Sequence, residues 1–151
     1  MNIYSDIDTK ATAKNVDHFL RKQLPHIMLR CGRSITDLSS PKLSLAPVST
    51  SMRTDRQETM IINAVELENV VQAVHNSILA CSDISKIILM DIYIHQYTVD
   101  RTLMDLPYER SQYFHKLKPK SLVEFADYYD YWQSKCKVNE EDKLDLHIYK
   151  D

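Results

Sequence analysis

Glycine is almost missing from this chain. Gly32 is the one glycine in 151 residues, where average usage of about 7% would supply roughly ten. Tight hairpins and phosphate-cradling loops both depend on glycine, so a hairpin-rich fold, a Walker loop and a dinucleotide fingerprint are set aside. Cysteine is sparse as well. Cys31, Cys81 and Cys136 are widely separated, odd in number and never in CxxC spacing, which favours neither a disulfide framework nor a zinc site and fits a reducing compartment. His18, His26, His75, His95, His115 and His147 build no HxxxH, HExxH or Cys/His ligand cluster, so no metal and no other cofactor is expected. No GxSxG motif is present, no catalytic carboxylate pair stands out, and Cys31 reads more readily as a buried thiol than as a nucleophile. The chain is not expected to be an enzyme. No apolar run approaches the roughly 18 residues of a membrane span, and MNIYSDIDTKATAKNV lacks a signal-peptide core, so a cytoplasmic protein without a membrane partner is expected.

What remains is a composition that folds. Hydrophobic residues make up 44% and charged residues 26% of the chain, and the formal net charge is −2. These values suit one globular domain with arms, and the scarcity of glycine points to an all-α protein, a small helical bundle. Residues 1–31 form an N-terminal helical segment, with Val16, Phe19, Leu20 and Leu24 at helical spacing, Thr9 or Thr12 as caps, and Pro25 expected to bend or end the helix. Residues 32–57 hold six serines, three threonines and two prolines and read as an irregular arm or linker. From Glu58 the pattern changes. Met60, Ala64, Leu67, Val71, Val74 and Ile78 step alternately by four and three, which describes either a central core helix or a homodimer seam.

Residues 58–132 then read as the main helical domain. Ser82 or Asp83 starts a helix with Ile84, Ile87, Ile88 and Ile92 on one face, and Thr98 caps a short helix with Val99, Leu103 and Leu106 inward. Leu106-Pro107 interrupts, and YERSQYFHKLKPKSLVEFA follows from Tyr108. A short helix, a brief turn and a longer helix at about 98–118 is a helix-turn-helix arrangement, whose second helix enters a DNA major groove. Between Tyr108 and Lys120 the cations Arg110, Lys116, Lys118 and Lys120 face Glu109 alone. The net charge there is +3 in a chain that is acidic overall. Arg110 and Gln112 have the geometry to read guanine and adenine edges, and the lysines suit phosphates; a merely solvated face is the plain alternative. Glu109, Arg110, Ser111, Gln112, Tyr113, His115, Lys116, Lys118 and Lys120, with Thr98 and Arg101 from the preceding helix, are the candidate DNA-contacting residues. Pro119 should either kink this stretch or stand in the first turn of a second helix. Residues 133–151 read as a loose, polar or partner-dependent tail.

These motifs resemble a family. ATAKNVDHFLRK, CGRSITDLSSPKLSLAP and YERSQYFHKLKPKSLVEFADYY, in this order and over residues 6–132, are similar to the ArpU family of phage and prophage transcriptional regulators. The resemblance implies a C-terminal helix-turn-helix like that of sigma factor region four. It also implies control of late phage genes for packaging, morphogenesis and lysis, or of autolysin expression, in the cytoplasm of a bacterial host. By position it places Glu109, Arg110, Ser111, Tyr113, Lys116 and Lys118 on the recognition helix. Where turns of that family commonly offer a glycine and a serine cap, this chain has Leu106-Pro107-Tyr108. The implied partners are double-stranded DNA at a late-operon promoter and host RNA polymerase. The alternative is an interaction protein that modulates polymerase or another regulator without touching DNA.

Overall fold

The computed structural model describes residues 6–43 and 55–151, and for 55–64 the backbone alone. The described residues form an all-α bundle with one isolated antiparallel bridge, Ile7 to Tyr149. None of the described helices is long and apolar enough to cross a membrane.

The first helical run is capped by neither Thr9 nor Thr12. Asp8 does this instead, accepting the Ala11 N–H at 3.0 Å at the start of α1 (Thr9–His18). Thr12 is buried and bonds to the other end of the chain. Nor does Pro25 stop the run. A five-residue π-helical stretch, Phe19–Gln23, leads directly into α2 (Leu24–Arg30) with Pro25 in its first turn. Leu24 donates to Phe19 O, five residues back. A proline in an α-helix lacks its N–H and presses on the carbonyl four residues earlier. A widened turn just before it relieves that contact, so the helix continues.

α2 ends on the single glycine. Gly32 has φ +68°, its N–H donates to Leu29 O at 3.0 Å, and the Arg33 N–H donates to Met28 O at 2.9 Å. This double closure needs a left-handed residue after the helix, which glycine adopts without a Cβ penalty. The chain then turns into a 3-10 helix, Ile35–Ser39. Here the expectation of a free arm fails for residues 33–43. Leu38 is fully buried, the buried Arg33 guanidinium grips the Glu68 carboxylate through Nε at 2.9 and 3.0 Å, and His75 Nε2 lies 2.6 Å from Ser40 O. Residues 44–54 of the expected arm lie outside the described residues, and 55–57 belong to the next helix.

That helix is α3 (Asp55–Ala80). Val71, Val74 and Ile78 are fully buried within this chain, and Leu67 packs against the same core. Val71, Val74 and Ile78 are therefore core, and the dimer-seam reading is corrected for these three: side chains enclosed by their own chain cannot meet a second copy, whereas Leu67 is half-buried. Met60 and Ala64 fall outside the described side chains.

α4 (Asp83–Leu89) runs into a π-helical stretch, Met90–Ile94, and α5 (Val99–Met104) follows, capped by Thr98 as its sequence predicts. The last run begins with α6 (Arg110–Gln112), passes through a third π-helical stretch at Tyr113–Leu117 and becomes α7 (Lys118–Lys135). Pro119 thus repeats the Pro25 device: Lys118 donates to Tyr113 O, five residues back, and the proline stands in the first turn of α7.

α7 is the centre of the bundle, packed against α1, α3 and α4. Leu122, Phe125, Ala126 and Tyr129 are buried along it. Tyr129 stacks on Phe125 at 5.4 Å and meets Phe19 from the first run at the same distance. Glu124 accepts from the hydroxyls of Ser82 and Ser85 at 3.1 and 2.8 Å, fastening the start of α4.

The expected loose tail is also corrected. Val138, Leu146 and His147 are buried, and residues 143–151 cross α7 and α1 as a strap. Gln133 holds Leu144 at both amide atoms, at 2.8 and 2.7 Å, and Asn15 donates to Leu146 O at 2.9 Å. The Asp8 N–H donates to Ile148 O and the Lys150 N–H to Asp6 O, at 2.8 and 2.7 Å. Side chains that look polar in sequence are here hydrogen-bonding an extended backbone.

Candidate nucleic-acid interface

Asp105 to Glu109 separate α5 from α6, so the short helix, the turn and the longer helix occur in the expected order. In the first two turns after Glu109 most side chains are open to solvent, while Tyr113 is turned into the core. Arg110, Ser111, Gln112, His115, Lys116 and Lys120 are exposed, Tyr113 is buried and Leu117 half-buried on the inner side, and from Ser121 onward that inner side is buried more continuously. The sequence marks this division: before Leu122 only Tyr113 and Leu117, four apart, supply the inner side, and from Leu122 the apolar residues become dense.

Several of the predicted residues have other work. Tyr113 is corrected outright. It is fully buried, its ring meets Phe114 edge-on at 5.0 Å, and burial pushes its hydroxyl up to about 12, so it belongs to the core and not to a reading face. Lys118 is half-buried. Burial lowers its pKa, and Asp17 of α1 partly opposes that shift. Gln112 reaches back so that its side-chain oxygen accepts the Glu109 N–H at 3.3 Å, which caps the helix and leaves its amide protons outward. Thr98 accepts the Arg101 N–H at 3.2 Å, also as a cap. Arg101 is exposed, with its guanidinium 3.7 Å from the centre of the Tyr97 ring. Arg110 pairs with Asp100 of α5 across the turn and lies 5.9 Å from the Phe114 ring. Both partners of that ion pair are more than half exposed, so water screens it and it holds Arg110 weakly.

The face that remains consists of Arg110, Ser111, His115, Lys116 and Lys120, with Arg101 beside it. A groove at its far edge is lined by His115, Lys116, Lys120, Val123 and Asp127. Sequence reasoning missed the apolar neighbours of this face. Met104 is 85% exposed, and Phe114 and Tyr108 are also open to solvent. For Met104 and Phe114 exposure had a signal, since each stands out of step with the apolar positions of its helix, and Tyr108 lies in the turn between the helices.

Cys31 and Cys81 are both buried, and burial pushes their thiols up to about 11 and about 12. Neither has the character of a nucleophile.

The class defined so far is an all-α bundle with an exposed basic helix end. Neither a protein-family model, nor a curated protein, nor a solved structure matches the chain.

Proposed function

We propose that this protein is a sequence-specific DNA-binding transcriptional regulator of the ArpU type, an activator of phage late genes acting in the bacterial cytoplasm. The observation that carries the reading is the set of exposed cations at the start of the last helical run. There Arg110, His115, Lys116 and Lys120 are exposed on a chain whose overall charge is −2. Such a helix end, preceded by a short helix and turn, suits the major groove. Arg110 and Ser111 in the first turn take the base edges, and Lys116 and Lys120 take phosphates. The quoted motifs supply the family and the late-gene role. Host RNA polymerase is the partner of an activator, and the reading involves no turnover.

The test is binding of the purified protein to DNA upstream of its own late operon, against an unrelated fragment, at two salt concentrations. Arg110→Ala/Lys116→Ala is compared with the parent, and folding is checked by circular dichroism. The double variant should lose at least tenfold in specific affinity, and its logarithmic salt slope should fall by about 0.9 for each phosphate contact removed. Tyr113→Phe, which alters only a buried hydroxyl, should bind like the parent. Equal, weak binding to both fragments by all three proteins would end this reading.

A second reading has its own observation. Met104, Phe114 and Tyr108 expose apolar surface next to Arg110, a mixture common at protein–protein contacts. Under it, Met104→Asp abolishes capture of polymerase or another regulator, and DNA affinity is absent throughout.

A further inference from the structure

α7 packs against α1, α3 and α4, yet it keeps a side, opposite the buried Leu122, Phe125 and Tyr129, on which Lys120, Tyr128 and Tyr131 are exposed. Lys116, Lys120, Val123, Asp127 and Tyr131 follow one another along it at steps of four or three, the spacing by which one helix meets another. Two adjoining grooves run beside these residues and share Asp127. One also holds Lys116, Lys120 and Val123, and the other Tyr128 and Tyr131.

The charge on this face changes sign along its length. Lys116 and Lys120 stand at one end, and Glu124, Asp127 and Asp130 follow. Neither lysine has an ion-pair partner among the described residues. Glu124, four residues after Lys120, is the position from which a helix supplies such a partner, but it is turned to the hydroxyls of Ser82 and Ser85. Asp127 Oδ1 lies 2.6 Å from His147 Nε2, and its Oδ2 makes no hydrogen bond among the described residues. Unpaired cations and a carboxylate with a free oxygen thus share one face, too far apart to satisfy each other within the chain.

We propose that this face binds a second copy of the chain, α7 against α7 in antiparallel order about a two-fold axis between Val123 and Glu124. That axis sets Lys120 opposite the partner's Asp127, Lys116 opposite the partner's Tyr131 and Pro119 opposite the partner's Tyr128, and symmetry makes each contact twice. An ammonium over a tyrosine ring is attractive, with the exposed Asp130 beside that ring to balance Lys135. A parallel pairing would set lysine on lysine and aspartate on aspartate. Nucleic acid answers only the cationic half and leaves Tyr128 and Tyr131 uncovered. Charge therefore selects a second copy, antiparallel. Water and salt screen exposed pairs, so the dimer is weak and salt-sensitive, and the aromatic residues supply its apolar area. Lys116 and Lys120 are also the phosphate contacts of the DNA reading, on which this dimer is the form that does not bind DNA; the pairing itself stands without that reading.

The test is analytical ultracentrifugation of the full chain, without DNA, over a range of concentrations at low and high salt. The parent should pass from monomer to dimer as concentration rises, and less readily at high salt. Lys120→Asp and Asp127→Lys should each weaken the dimer by about tenfold or more, because each sets like charges opposite one another. An equal mixture of the two should recover the parent's association, since each variant supplies the charge that the other lacks at both contacts. Circular dichroism checks that both are folded. Val123→Cys, in a Cys136→Ser background, tests the register and leaves Asp127 on His147. It should form a disulfide between two copies under mild oxidation. Lys135→Cys in the same background should not, because the antiparallel order sets the two copies of that position about 35 Å apart at the rise of an α-helix. A chain that stays monomeric at every concentration would overturn the proposal. So would a dimer that Lys120→Asp leaves unchanged, a mixture of folded variants that does not recover, or a disulfide through Lys135→Cys in place of Val123→Cys. If Asp127→Lys does not fold, Lys120→Asp and the two cysteine variants decide.

Discussion

Asp91 shows how a single group sets a pH dependence. It sits in the π-helical stretch after α4, is 8% exposed, and has one carboxylate oxygen without a hydrogen-bond partner. Burial first, and then the neighbouring Asp105, push its pKa up from 3.8 to about 6, while Arg101 pulls in the opposite direction. A folded-state value above the unfolded one means that the fold prefers the protonated acid. Its stabilisation is therefore complete below about pH 4 and is lost as the pH rises through about 6. Asp91→Asn removes the charge while keeping the shape. In urea denaturation the variant should be more stable than the parent at pH 7, with the gap closing by pH 4. A gap of the same size at both values would show that ionisation of Asp91 is not its source. Asp17 behaves in the opposite sense. Burial raises its pKa, but the Tyr93 hydroxyl and Arg21 outweigh this and hold it below the ordinary value. Its contribution is present above pH 4 and fades in acid.

Helix ends supply the lesson at the next scale. α2 and α7 finish on the same hydrogen-bond pattern. After α7 the Lys137 N–H donates to Ser134 O at 3.2 Å and the Val138 N–H to Gln133 O at 3.0 Å, matching Gly32 and Arg33 after α2. The left-handed position is glycine in one case and Lys137, at φ +59°, in the other. A side chain there costs about 1–2 kcal/mol, offset in part by the greater unfolded-state freedom of glycine. Lys137→Gly should therefore raise stability by about 1 kcal/mol, read as a higher Tm with an unchanged denaturant slope. A fall in Tm would mean that the lysine side chain stabilises this turn by more than its backbone strain costs. The two prolines make a related pair. Each follows a widened turn, so a residue that reads as a helix breaker in sequence stands inside a continuous helix. The alternation of apolar residues along each run was legible from sequence. The π-helical stretches were not, because they change the hydrogen-bond register and leave no mark on composition.

For the molecule as a whole, the strap closes the bundle by joining its two ends. Removing residues 143–151 exposes the Leu146 site and unpairs Gln133, Asn15 and Thr12 from their backbone partners. Burying one leucine is worth about 1.5–3 kcal/mol, and several of the lost hydrogen bonds are partly buried. The truncated chain should lose on the order of 3 kcal/mol in chemical denaturation, with the loss independent of protein concentration. A truncated chain as stable as the parent would show that the strap merely rests on the bundle.

Sequence alone determined that this protein is helical, where its helices run and that one helix end is basic. Those properties are local: glycine scarcity, apolar spacing and neighbouring charges act within a few turns of one another. The tertiary structure decided which apolar face is enclosed, that Tyr113 points inward, and that the segment after Trp132 folds back. It also decided that Asp127, Asp130, Asp145 and His147 share one place. That last grouping has no motif spacing, because two of its members come from a helix and two from an extended strap. Only the turn at Lys137 and Val138, and the hydrogen bonds beyond it, bring them within reach.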